Sequence, residues 1–243
     1  MPGAAARAAL EAAVVRVVQD MNSQALSNTV WIFLTLAATR GVPLPACYPS
    51  LWRAARGLDV GSFNRVQIHM MFHAHLIHTE LVSGDVLDEV VFPSWIMHEA
   101  REAWMRNARD DTTVSRAHKE VASIIGELGV PHVVEHLTDD GYFSVDVYLP
   151  DADIALEIDG PFHFISIADT GEWAAPDDAS RTSTRSPTVR TELRDMFLQR
   201  RHHAVISVPW FEWAELNRKG AAEKSEFVAA KLRGAGVRVP ASA

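Results

Sequence analysis

The sequence predicts two regions of different class, a helical region over residues 1–130 and an α/β region over 131–236. Three observations carry this expectation. In the first region apolar residues recur at three- and four-residue spacing, as in Leu26, Val30, Phe33 and Leu34 and again in Ile68, Met71, Phe72 and Leu76. After Pro131 the period changes to strict alternation, from Phe143 to Leu149 and from Ile154 to Asp159. Charge is also segregated: from Glu120 to Ser180 there is no lysine or arginine, and basic residues then return together as Arg181, Arg185, Arg190, Arg194, Arg200 and Arg201.

Breaks at Gly41 to Pro45, near Gly57 and Gly61, and around Pro93 divide the helical region into short helices, as in stacked helix pairs. MNSQALSNTVWIFL from Met21 and FNRVQIHMMFHAHL from Phe63 share the order polar pair, glutamine, apolar helix, at an offset within the range of helical repeats. Helices are expected after Pro93, through Trp95 and Trp104, and from Ser115 to Leu128, closed by Gly129 and Pro131. A three-stranded meander follows, turning at Asp139 to Gly141 and at Pro150 to Asp153. Residues 166–186 read as a loop, and Ser186 and Pro187 as a helix start. Ala204 to Val208 is a short buried strand before a last helical region that reaches Leu232.

At 48% hydrophobic and 22% charged, the 243 residues have globular composition. One cysteine, Cys47, excludes an internal disulfide framework. The longest uncharged stretch, Gln24 to Thr39, falls short of the roughly 20 apolar residues a membrane span needs, so no membrane partner is expected. The alanine-rich N-terminus with Arg7 and Arg16 has the composition of an organelle transit peptide, but Glu11 and Asp20 favour an ordinary first helix. The net charge of -8 opposes bulk electrostatic coating of nucleic acid.

The meander gathers the charged groups. If residues 150–153 form the hairpin loop, residue 149 pairs with 154, and Asp146 lies opposite Glu157 with Ser144 opposite Asp159. Like charges opposed on a sheet are destabilising, so they call for a cation, a shared proton or a metal. Arg190 and Arg194, four apart, share one helix face, and Arg194 could reach the acidic cluster while Arg190 reaches either the cluster or a phosphate. The competing reading is a structural role, in which these arginines are solvated or only neutralise the carboxylates.

Three runs, IALEIDGPFHF from Ile154, TELRDMFL from Thr191 and AVISVPWFEWAEL from Ala204, resemble the RAP domain of FAST-kinase-like mitochondrial proteins and of algal, plant and apicomplexan organelle RNA factors. Glu157, Asp159, Gly160, Pro161 and His163 carry the resemblance, with Pro209, Glu212 and Trp213. The upstream helices are similar to the repeats of octotricopeptide-type algal proteins. RAP domains in turn resemble the PD-(D/E)XK nucleases, which implies a restriction-endonuclease-like core with Asp146 and Glu157 as ligands of Mg²⁺ or Mn²⁺. Where a nuclease places its lysine this chain has Asp159, and Arg194 cannot replace that lysine as a general base.

The resemblance implies a soluble RNA-binding protein of a mitochondrion or chloroplast acting in RNA processing, ribosomal RNA included, stability or translation. Arg185, Arg190, His163 and Trp210 are its candidate RNA contacts, with a longer helical-repeat protein or a ribonucleoprotein as partner. A metal-dependent endoribonuclease using Asp146, Glu157, Asp159 and Arg194 is the second reading. A non-enzymatic scaffold of a ribonucleoprotein assembly is the third. His69 and His73 have the spacing of helical metal ligands, but without an accompanying glutamate they read better as solvent-facing or packed histidines of a helix pair. Trp213 reads as core.

Overall fold

The computed structural model describes residues 4–82, 88–110, 114–168 and 183–240. The chain divides into two compact units, Met1–Asn107 and Ala108–Ala243.

The first unit is helical: α1 (Ala4–Val17), α2 (Ser23–Arg40), α3 (Tyr48–Arg56) and α4 (Arg65–Leu76), which continues as a π-helical turn Ile77–Leu81. A second π-helical turn, Ile96–Ala100, leads into α5 (Arg101–Asp110). The two similar sequence segments start α2 and α4, and what they share is capping chemistry. Asn22 accepts from the Ala25 N–H, and Asn64 accepts from the Gln67 N–H while the Gln67 side chain accepts from the Asn64 N–H. Aligned on these caps, Gln24 and Gln67 are one position out of step, so only Gln67 completes a capping box. Leu26, Val30 and Leu34 of α2, Leu51 and Trp52 of α3, and Met71 and Phe72 of α4 are buried.

The histidines of α4 are packed. His73 Nδ1 accepts from Trp31 Nε1 at 3.1 Å. His78 stacks on Tyr48 with its Nδ1 2.8 Å from the hydroxyl, and Phe92 meets both His75 and His78 edge-on. Burial pushes His75 and His78 down to about 4, each from the usual 6.5. Folded pKa values below the unfolded ones mean that the unfolded state takes up more protons between those limits, so stability is lost as pH falls from 6.5 through 4. Hydrogen exchange at residues 71–78 is therefore expected to lose protection on acidification over that range, and His78→Gln should weaken the dependence.

The second unit begins with α6 (Arg116–Glu127), capped by Ser115, followed by β1 (Val133–Leu137), β2 (Ser144–Leu149) and β3 (Ile154–Asp159). A 3₁₀ turn, Pro161–His163, precedes β4 (Phe164–Ala168) and β5 (Ser183–Pro187). Then come α7 (Val189–Arg201), β6 (Ala204–Pro209), α8 (Trp210–Leu216) and α9 (Ala221–Gly234). The sheet order is β1-β2-β3-β6: the first two pairings are antiparallel, and β6 runs parallel to β3, with α7 in the connection between them. Helices thus occupy the N-terminal region and a sheet the C-terminal one, as the sequence predicts.

Pairing of Leu149 with Ile154 agrees with a loop over 150–153, where Asp153 adopts φ 50°. One sheet face is apolar: Val147, Leu149, Ile154, Leu156, Ile206 and Val208 pack with Val121 and Ile125 of α6, Trp213 and Leu216 of α8, and Val228 and Leu232 of α9. Hence α6 belongs with the sheet, although periodicity alone groups residues up to 130 with the helical region. Two expectations are corrected. The ends of the supposed 166–186 loop are strands, since Phe164 to Ala168 pair with Pro187 to Ser183; residues 169–182 lie outside the described residues. Pro187 ends β5 instead of starting α7, whose cap is Thr188, accepting from the Thr191 N–H at 3.3 Å.

Candidate functional site

The second face of the sheet carries the charged groups. Alternation brings Glu157 and Asp159 of β3 beneath α7, and both are buried. Arg194 reaches down from α7 between them, with Nη1 3.0 Å from Glu157 Oε2 and Nη2 donating to Asp159 Oδ1 at 2.8 Å. The same guanidinium donates to Asp195 Oδ1, 2.7 Å from Nη2. Ser207 of β6 donates to the other oxygen of Asp159. His163, from the 3₁₀ turn, places Nδ1 3.2 Å from Asp159 Oδ1, and its carbonyl accepts from the Thr188 N–H at 2.8 Å, tying the turn to the start of α7.

Three carboxyl groups share one guanidinium here, so not all can be charged cheaply. Burial pushes the Glu157 carboxyl up to about 8, Arg194 opposing and the neighbouring aspartates reinforcing the shift. Glu157 Oε1 is buried without a hydrogen-bond partner. Burial also raises Asp146 and Asp195. Although burial opposes its charge, Arg194 is driven above the ordinary arginine range by Glu157, Asp159 and Asp195. His163 is lowered by burial and by Arg194.

Asp146 is near enough to this network to help raise the Glu157 carboxyl, yet its oxygens bond elsewhere. The antiparallel ladder ends at Val147–Leu156, and where Asp146 would face Glu157 its Oδ2 instead accepts from the Ile158 N–H at 2.6 Å. Its Oδ1 turns towards His118 of α6, 3.8 Å from Nδ1, where Glu135 Oε1 also approaches at 3.4 Å. Glu135 has φ 54°, a left-handed conformation costing about 1–2 kcal/mol for a non-glycine residue. The β1–β2 ladder passes from Val134–Val147 to His136–Val145, skipping the Glu135–Asp146 position.

The metal pair implied by nuclease resemblance does not fit this arrangement. A guanidinium already meets the Glu157 carboxyl, and Asp146 presents its oxygens to Ile158 and to the His118 side. Asp159, where the lysine would be, accepts from Arg194 and Ser207.

The RAP domain family model matches residues 156–231. The chain carries a RAP domain. No curated protein and no solved structure matches it. RAP domains are associated with RNA binding. The matched segment of the RAP domain contains Glu157, Asp159, His163, Arg185, Arg190, Arg194 and Trp210, whereas His118, Glu135 and Asp146 lie upstream of it.

The fold brings two of the predicted RNA contacts, Arg185 and Trp210, together. Arg190 is exposed in the first turn of α7. Arg185 lies over the rings of Trp210 and Phe211, 5.7 and 5.0 Å from their centroids, so these groups engage one another. Trp213 is core. Sequence reasoning missed Phe162, which is 88% exposed in the Pro161–His163 turn. Its signal was an aromatic residue directly after Gly160-Pro161, a turn pair that turns the side chain outward. Glu135 was also missed, although extending the meander register to β1 would have set it opposite Asp146. His118 gave no signal, being one more semi-apolar position in an amphipathic helix.

Proposed function

We propose that the chain is an RNA-binding protein of a mitochondrion or chloroplast, acting in RNA processing, stability or translation, in which the RAP domain holds single-stranded RNA. Phe162 carries this reading. A large aromatic side chain, almost fully exposed, is held on a turn hydrogen-bonded to the start of α7, where Arg190 is also exposed. An aromatic platform beside a cation and a helix N-terminus can stack a base and meet its phosphate. The net charge of -8 fits a local contact of this kind better than wide electrostatic coverage. The geometry favours recognition over cleavage, because the buried carboxylates are committed to Arg194. The organelle assignment, and a longer helical-repeat protein or ribonucleoprotein as partner, rest on the family resemblance.

Anisotropy titrations with labelled single-stranded RNA test the reading. Phe162→Ala is expected to weaken binding by about five- to a hundredfold, the range of one base–aromatic stack. Arg190→Glu should weaken it further and flatten the salt dependence. Wild-type affinity in both variants would place the RNA elsewhere, and absence of binding by the wild-type chain would favour the scaffold reading.

A further inference from the structure

We propose that His118, Glu135 and Asp146 form a binding site for one divalent transition-metal ion of the zinc–manganese class. Among the described residues these three offer one ligand atom each, all within 4.8 Å of one another. The orientation of the His118 ring is the decisive observation. Its Nε2 lies 2.8 Å from the Asp146 backbone carbonyl, which can only accept, so Nε2 carries a hydrogen and donates it. Nδ1 is then the ring nitrogen left to meet a ligand, and it faces two carboxylate oxygens, at 3.4 and 3.8 Å. These separations are long for a charge-assisted hydrogen bond, which spans about 2.7–2.9 Å. They are close to the spacing of donors around one ion, since ligand bonds of about 2.0–2.2 Å set neighbouring donors roughly 3.0–3.5 Å apart.

Each ligand is also held from behind. The His118 ring is fixed by its bond to the Asp146 carbonyl, Asp146 Oδ2 accepts from the Ile158 N–H, and Ser144 Oγ lies 3.5 Å from Glu135 Oε2. This is the outer-shell support that orients metal ligands. The left-handed backbone at Glu135 and the skipped ladder position coincide with two acids side by side, like charges that a shared cation would stabilise. The His118 side chain is only 3% exposed, while Glu135 and Asp146 are 20% and 31% exposed, so an ion enters from the carboxylate side and keeps a position open to water. One imidazole with two carboxylates selects Zn²⁺ or Mn²⁺ over Mg²⁺, which prefers all-oxygen shells. The site shares no ligand with the Glu157–Arg194 network and does not depend on RNA binding.

Calorimetric titration of chelator-treated full chain with Zn²⁺, Mn²⁺ and Mg²⁺ tests the site. One equivalent of Zn²⁺ or Mn²⁺ is expected to bind, Mg²⁺ much more weakly, and ¹⁴N coupling should appear in pulsed EPR of the Mn²⁺-loaded protein. Glu135→Gln, at a partly exposed position that leaves the fold intact, should weaken binding at least tenfold; His118→Ala should do so as well, with circular dichroism checking its folding. Glu157→Gln should leave affinity unchanged. No stoichiometric binding of either ion, equal affinity in Glu135→Gln, or a loss confined to Glu157→Gln would overturn the assignment.

Discussion

Replacement of Arg194 by alanine is expected to destabilise the C-terminal unit by about 3–5 kcal/mol, the cost of breaking a buried charge pair from one side. The Arg194 side chain is 18% exposed, and its guanidinium meets Glu157, Asp159 and Asp195 at 3.0 Å or less. Its removal leaves Glu157, Asp159 and Asp195 without the guanidinium that they share. Arg194→Lys should recover only part of the loss, because one ammonium cannot present the planar fork that reaches three carboxyl groups. Urea unfolding of the three proteins at pH 7 measures this. A loss below about 1 kcal/mol in the alanine variant would mean that the acids relax to solvent and that the network holds little of the fold.

Glu157→Gln should have the opposite sign, and only at higher pH. With its folded pKa raised to about 8 from the usual 4.5, Glu157 keeps a proton that the unfolded chain releases. Between those values the folded state binds more protons, so stability is greatest below 4.5 and is lost as pH rises through 8. At about 1.4 kcal/mol per pH unit the full window amounts to at most about 3–5 kcal/mol, an order-of-magnitude ceiling. Glutamine mimics the neutral acid, so the variant should match the wild type near pH 5, exceed it at pH 8 and show a flatter profile. Parallel profiles for the two proteins would show that Glu157 ionises freely beside Arg194.

The parts of this site that were legible in the sequence are those set by local rules. A four-residue loop between alternating strands fixes Leu149 against Ile154 and puts Glu157 and Asp159 on one face. The need of buried acids for a counter-ion selects Arg194 from a helix that must cross the sheet. Local rules fail where backbone geometry departs from the regular. The β2–β3 ladder stops one pair before Asp146 reaches Glu157, and Glu135 sits at positive φ, so ideal pairing could not show that Asp146 turns towards α6. Polar β5, Ser183–Pro187, is visible only through its partner, because Ser-Thr-Arg-Ser-Pro lacks the apolar alternation that marks a strand. The placement of α6 was hidden for another reason: helical periodicity reveals an apolar face but not what covers it.

The position of β3 in its sheet also decides how this module can be separated from its neighbours. The family match begins at Leu156, in the middle of a strand that hydrogen-bonds β2 on one side and β6 on the other. A fragment cut there would lose Ile154 and Ala155, strip away the partners on one flank and uncover the apolar face that Val121, Ile125, Val147 and Leu149 complete. An unpaired central strand of this composition offers its backbone to any other chain, and such fragments would associate instead of staying monomeric. The heritable motif is therefore shorter than the piece of protein that can stand alone, which needs α6, β1 and β2 as well.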